Sequence, residues 1–133
     1  MARLILDTTV LVDAERGGDS LAEAIDDDDD VAIAAITVAE LKVGVQMARG
    51  RRREKRERFL AAVLDVVSVE PYDLDAADAH AVLLAHVRRA GTPRGAHDLI
   101  IAATARARGR QVVSSDQRGF AGLPGVSLAR ALG

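Results

Sequence analysis

Short apolar runs alternate along the chain with longer segments that have helical periodicity. The apolar runs are rich in Val, Ile and Leu and predict strands at residues 3–6, 31–36, 66–69 and 112–114, with residues 126–128 as a fifth candidate. The amphipathic segments predict helices at residues 9–16, 20–25, 37–48, 52–64, 75–90 and 98–108. Because buried strands alternate with helices, we expect an α/β fold with a central, mainly parallel sheet covered on both faces.

Length and composition narrow the classes of protein. A chain of 133 residues without repeats or linker-like segments predicts a single domain over residues 1–133. The absence of cysteine excludes disulfides, thiolate catalysis and zinc–sulfur sites. No apolar stretch approaches the about 20 residues that span a bilayer, and the first residues do not resemble a secretory signal. We therefore expect a soluble, cytoplasmic protein.

Charge is distributed unevenly, although the net charge is only −2. Residues 49–58 carry seven basic side chains against two glutamates. On a helix, these basic side chains could bind RNA phosphates. The alternative is a solvated helix with Arg/Glu pairs. The acidic run at residues 26–30 is interpreted as a solvated loop. The candidate RNA-binding residues, called the basic arm below, are Arg49, Arg51, Arg52, Arg53, Lys55 and Arg56.

Four acids lie where the predicted strands meet their helices. Asp7 follows the first strand, and Asp116 follows the fourth. Glu40 is expected in the first turn of the helix after the second strand, and Asp98 begins the helix that leads to the fourth. All four then lie at the carboxyl edge of the sheet, where open α/β folds bind ligands. Carboxylates gathered there repel one another unless cations neutralise them, and such oxygen ligands suit Mg²⁺ or Mn²⁺.

Each acid also has a local explanation. The segment 37–40, Thr-Val-Ala-Glu, has the pattern of a capping box in which Glu40 bonds the backbone at a helix start. Asp98 could serve only the helix dipole. Asp7 and Asp116 could be turn formers. The four acids favour a shared site because they converge on one edge.

Four segments around these acids resemble the motifs of the PIN-domain nucleases, in order and spacing, over nearly the whole chain. They are LILDTTVLV around Asp7, AITVAEL ending beyond Glu40, GAHDLIIAATA around Asp98, and VVSSDQRGF around Asp116 followed by LPGV. The length of the chain and the details of these motifs are most similar to those of the VapC-type toxins of bacterial toxin–antitoxin pairs. The resemblance implies a PIN-like three-layer α/β/α sandwich.

The same resemblance implies the chemistry. Asp7, Glu40, Asp98 and Asp116 would be the metal-binding and catalytic acids, with Mg²⁺ or Mn²⁺ as cofactor. Thr9 and Ser114 match hydroxyl positions that support the site, although threonine is commoner at the latter. The expected activity is an endoribonuclease cutting tRNA or rRNA through a metal-activated water, leaving 5′-phosphate and 3′-hydroxyl ends. A cognate antitoxin and a homodimer are the implied partners.

The same residues argue against several other functions. A haloacid-dehalogenase-type phosphotransferase needs a second Asp two residues after the first, and Thr9 stands there. No Gly-rich phosphate loop is present. His97 is interpreted as a polar residue beside the site. The alternative that stays open is a non-cleaving RNA-binding module that retains the acidic metal pocket.

Overall fold

The computed structural model describes residues 1–18, 21 and 25–129. The predicted helix at residues 20–25 lies outside these ranges apart from its residues 21 and 25. No helix within them combines the length and the apolar character needed to cross a membrane.

The centre of the fold is a parallel sheet, as predicted. Its strands are β1 (Arg3–Leu6), β2 (Asp30–Ala34), β3 (Ser68–Glu70) and β4 (Gln111–Val113), in the order β3-β2-β1-β4. In register, Ile5 of β1 pairs with Ala32 of β2 and Val112 of β4. The chain runs outward from β1 to β3 and then returns to the other side of β1. The carboxyl ends of β1 and β4 therefore flank the point where the strand order reverses, and ligands of such sheets bind there.

Five helices connect the strands in the described part of the chain. They are α1 (Thr8–Gly17), α2 (Ala35–Met47), α3 (Gly50–Val66), α4 (Leu74–Ala90) and α5 (Ala96–Arg108), with a 3₁₀ helix at Gln117–Gly119.

Several sequence predictions at element boundaries are wrong, and one of them is the third strand, which begins at Ser68 because Val66 still belongs to α3. Helix α2 begins at Ala35 rather than at Thr37, so Glu40 lies in its second turn instead of its first. The capping box is absent, because Ala34 is the N-cap without a side-chain bond and Thr37 is fully buried. The fifth strand is only an isolated bridge between Val112 and Leu128, which follows a turn at residues 124–125.

Apolar side chains pack on both faces of the sheet. Ile5 and Val112 point to one face and pack with residues of α4 and α5, including Leu83. Leu6 and Ile33 point to the other face, against α1 and α3. This alternation gives the predicted three layers, and it confirms the α/β/α sandwich. Phe120 is the one aromatic ring in the first of these clusters, so the core is mostly aliphatic, as expected.

A buried arginine ties the acidic run to the sheet. The side chain of Arg110, only 4% exposed, lies 3.0 Å from Asp30 Oδ1 and 3.4 Å from Glu70 Oε1. It also donates to the backbone carbonyls of Leu4 and Asp30. Asp30 makes a second ion pair with Arg3 at 2.9 Å. The interpretation of the whole acidic run as a solvated loop is therefore wrong for Asp30, which has a structural role.

Candidate active site

Asp7 is held at the junction of β1 and α1. Its side chain caps α1 by accepting from the Thr8 amide at 2.8 Å, where the helix dipole favours a negative charge. Its other oxygen accepts from the hydroxyls of Thr9 at 2.8 Å and Ser114 at 2.7 Å. Asp7 is only 3% exposed, and a buried carboxylate requires this degree of hydrogen bonding. Both predicted supporting hydroxyls therefore contact this acid.

Glu40 reaches the same region from α2. Its Oε1 accepts from the Thr8 hydroxyl at 2.8 Å, and that hydroxyl lies 3.2 Å from the buried Thr37 hydroxyl. Its Oε2 lies 3.3 Å from His97 Nδ1. Glu40 thus joins α1, α2 and the start of α5 instead of bonding the backbone at its own helix start.

Asp98 is the acid with the least local support. It lies in the first turn of α5, whose N-cap Gly95 makes no side-chain cap bond. Partial burial is the main factor that raises the pKa of Asp98, and repulsion from Asp7, Glu40 and Asp116 raises it further. The three other acids therefore lie near enough for their charges to act on it.

Asp116 lies just beyond β4 and is paired with an exposed arginine. Its carboxylate caps the 3₁₀ helix and receives Arg118 through Nε at 2.9 Å and Nη2 at 3.0 Å. The hydrogen bond from Arg118 is the main reason that the pKa of Asp116 is lowered. Because the Arg118 side chain is 92% exposed, this pair is open to solvent and worth little stability. Asp116 can therefore exchange Arg118 for another cationic partner at small cost.

The donor set fits a hard divalent cation, although the side chains are not arranged as a finished coordination sphere. Within the described ranges, no group of three or more acidic or histidine side chains meets at ligand distance. Burial is the main cause of the raised pKa of Asp98, but repulsion from its acidic neighbours adds to it, and a cation beside Asp98 would offset that repulsion. Oxygen-only ligands with this much negative charge suit Mg²⁺ or Mn²⁺.

Three further side chains, which were not assigned from the sequence, lie beside the acids. Thr8 is the hydrogen-bond donor to Glu40, and it stands inside the first motif between Asp7 and Thr9. Ser115 donates to Asp13 at 2.6 Å, which ties the turn before Asp116 to α1. The signal for Thr8 was the paired threonine after Asp7. The signal for Asp13 was its position on the same predicted helix.

The basic arm divides between different surfaces of α3. Arg52, Lys55 and Arg56 line a pocket with Arg16 of α1. Arg53 instead donates to Glu57 at 3.0 Å and lies beside a different pocket.

Arg56, one of the three basic residues that share a pocket with Arg16, also has a structural contact: its Nη1 donates to the Gly44 carbonyl at 2.7 Å.

Arg16 connects the acids to the basic arm. It lines one depression with Asp7, Glu40 and Asp98, and it lines the neighbouring depression with Arg52 and Lys55. One groove, called the Arg16 groove below, therefore runs from Asp7, Glu40 and Asp98 past Arg16 to Arg52, Lys55 and Arg56 of α3. The sequence analysis missed Arg16, because it stands alone among acidic neighbours in the sequence and only the packing of α1 against α3 aligns it with the arm.

Comparison with known proteins assigns the family. The PIN domain profile matches residues 4–125 of the chain. Ribonuclease VapC5 of Mycobacterium tuberculosis is 38% identical over 124 residues, covering 92% of this chain and 89% of the relative. The chain belongs to the VapC family of PIN domain proteins. A second VapC relative, the tRNA(fMet)-specific endonuclease VapC of Salmonella typhimurium, is 35% identical over 99 residues, covering 72% of this chain and 71% of the relative.

The fold of this VapC-family chain also matches solved structures. The structure of VapBC-5 from Mycobacterium tuberculosis, a member of the VapBC family of toxin–antitoxin systems, superposes with a TM-score of 0.79. The two chains are 34% identical, and the match covers 98% of this chain and 100% of the other. The predicted PIN-like sandwich is therefore confirmed. The matched span, residues 4–125, contains all four acids.

Proposed function

We propose that this protein is a metal-dependent endoribonuclease toxin that cuts structured RNA and is neutralised by a cognate antitoxin. One observation carries the proposal: carboxylates from four distant segments lie at the carboxyl edge of a parallel sheet, where burial and the repulsion of the other three acids raise the pKa of Asp98. Mutual repulsion makes such a set costly to the fold, and a bound cation would offset that cost. The names of its VapC relatives, which are ribonucleases and endonucleases, support hydrolysis of RNA.

In this proposal Asp7, Glu40, Asp98 and Asp116 hold Mg²⁺ or Mn²⁺. A bound divalent cation would supply Lewis acidity, which lowers the pKa of an attacking water and offsets charge on the phosphate. The chain's own hydroxyls fix the acids: Thr9 and Ser114 orient Asp7, and Thr8 orients Glu40. The expected products carry 5′-phosphate and 3′-hydroxyl ends.

The RNA strand is proposed to follow the Arg16 groove. Arg16 lies eight residues beyond Thr8 on α1, which corresponds to about 12 Å along the helix axis. This distance spans several stacked nucleotides, so Arg16 would meet phosphates some nucleotides away from the acids. Two aromatic residues of the chain are Phe and one is Tyr, which leaves little for base stacking, so phosphate contacts and RNA shape would dominate recognition. The tRNA specificity of the Salmonella relative supports tRNA or rRNA as the substrate class.

The relatives support one part of the proposal, the antitoxin partner. The VapBC-5 structure belongs to a toxin–antitoxin system, and this supports a cognate antitoxin for the present chain. A homodimer and a cytoplasmic location, where tRNA and rRNA are found, complete the proposal.

The test is RNA cleavage by the purified chain, free of antitoxin. We expect discrete cuts in total RNA with Mg²⁺ or Mn²⁺, no cuts with chelator, and loss of cutting in Asp7→Asn. Mapping the fragment ends would identify the substrate. If a folded protein binds RNA and leaves it intact under every metal, the proposed nuclease is wrong and the chain is an RNA-binding module.

A further inference from the structure

Gly119 closes the 3₁₀ helix that follows Asp116, and its backbone does not explain why it is glycine. Its φ lies outside the left-handed region, unlike that of Gly122 and Gly125 in the following turns. An alanine could adopt this backbone conformation. The reason for glycine must therefore be sought in the space around its Cα.

That space is occupied by the carboxylate of Asp98. A Cβ built on Gly119 would lie 2.5 Å from Asp98 Oδ2 and 3.1 Å from Asp98 Cγ, and real Cβ atoms do not approach an oxygen so closely. On the other side, a Cβ on Gly95 would lie 3.3 Å from the same oxygen. The Asp98 carboxylate thus lies in a slot between two glycines.

The shape of this slot sets the position of the Asp98 carboxylate. Asp7 accepts from three donors, Glu40 from Thr8, and Asp116 from Arg118, whereas Asp98 accepts no hydrogen bond from the described residues. With no hydrogen bond from the described residues to hold it, the Asp98 carboxylate depends on the open slot to keep this rotamer.

We propose that Gly119 is a positioning residue for Asp98: by having no side chain, it lets the Asp98 carboxylate turn toward the other acids. The inference rests on the proposed function, since the positioned group is one of the proposed metal ligands. Gly119 lies three residues after Asp116, so a single turn both supplies one acid and makes room for another.

Substitution of Gly119 by alanine should act on the site and leave the fold intact. The atom that must move is the free end of a short, partly exposed side chain, and a rotation of Asp98 relieves the clash without moving backbone. Removing a group that orients a metal ligand typically weakens metal binding about 10- to 100-fold. We therefore expect Gly119→Ala to weaken Mn²⁺ binding by about 10-fold or more.

Isothermal titration with Mn²⁺ tests the inference. It is carried out on four proteins: the natural chain, Gly119→Ala, Asp98→Ala and the double variant. If Gly119 acts through Asp98, the double variant binds Mn²⁺ as weakly as Asp98→Ala, with no added loss. Gly44→Ala is the matched control, because its Cβ would make only an ordinary 3.7 Å contact with Arg56. This control should bind Mn²⁺ like the natural chain.

Three results would overturn the inference. They are unchanged Mn²⁺ affinity in Gly119→Ala, an equal further loss when the substitution is added to Asp98→Ala, and failure of Gly119→Ala to fold. Urea denaturation of the same four proteins in chelator separates this inference from the proposed function. If the natural chain binds no Mn²⁺ but the two substitutions are coupled in stability, the metal site is wrong and the Gly119–Asp98 contact stands. Absence of coupling refutes the contact itself.

Discussion

Neutralising Arg52 should weaken RNA binding in a salt-dependent way, whereas neutralising its neighbour Arg53 should not. The two arginines are adjacent on α3, but Arg52 lines the Arg16 groove and Arg53 donates to Glu57 at 3.0 Å. They therefore form a matched pair within one helix. A change of charge that acts only through the overall electrostatic field would affect both variants equally.

The magnitude follows from the release of counterions. Each phosphate contact contributes about 0.7 to the log–log salt slope for single strands and about 0.9 for duplex. Arg52→Gln should reduce the slope by about that amount. Neutralising Arg16, Arg52 and Lys55 together removes the three contacts, which correspond to a change in Kd of about 20- to 40-fold between 50 and 200 mM salt.

The assay is fluorescence anisotropy with labelled tRNA, in chelator so that the RNA stays intact, at several NaCl concentrations. We expect the slope to fall in Arg52→Gln and in Arg16→Gln, and to match the natural chain in Arg53→Gln. Equal slope changes in Arg52→Gln and Arg53→Gln would refute the assignment of the RNA path to the Arg16 groove.

Three further predictions concern stability and the acids. Arg110→Met removes a buried cation from two carboxylates and should lower the free energy of unfolding by about 3 kcal/mol, measured by urea denaturation. Because the pKa of Asp98 is raised in the folded state, the contribution of this carboxyl to stability should decline as pH rises from 3.8 through the raised pKa. Asp98→Asn should lack this decline and be the more stable protein at neutral pH in chelator. Thr8→Val removes the hydroxyl that donates to Glu40 and should weaken Mn²⁺ binding about 10-fold or more, whereas Thr8→Ser keeps the hydroxyl and should retain the affinity.

Each of these has a clear contrary result. An Arg110→Met midpoint equal to that of the natural chain would show that the buried ion pairs contribute nothing. A lower stability of Asp98→Asn at pH 8 would show that its charge is not repelled by the neighbouring acids. Equal Mn²⁺ affinity in Thr8→Val and Thr8→Ser would remove the hydroxyl from the site.

Periodicity predicted the strands well because burial on both faces leaves a continuous apolar run. The bounds of β1 were predicted correctly for this reason, since Arg3 and Asp7 end the run on both sides. The position of Asp7 at the carboxyl edge of the sheet followed from the same run. Boundaries set by a single polar residue were less reliable: Thr37 resembles a helix cap, but tertiary packing buries it beside Thr8.

Contacts between distant helices could not be predicted from the sequence. The basic arm is continuous in sequence, and only the position of α1 gives Arg52 and Arg53 different surroundings. Arg16 and the Gly119 slot likewise depend on which segments the fold places side by side. The pairing of Asp116 with Arg118 is local, but an exposed arginine has many rotamers, and its sequence position alone does not select one.

The end groups of the RNA fragments test the central claim most directly. The natural chain and Asp98→Asn are incubated with total RNA, in Mn²⁺ and in chelator, and the fragment ends are determined. The account predicts 5′-phosphate and 3′-hydroxyl ends, formed by the natural chain only when metal is present and not formed by Asp98→Asn. Cyclic-phosphate ends, or cutting that persists in chelator, would contradict a nuclease built on these four carboxylates.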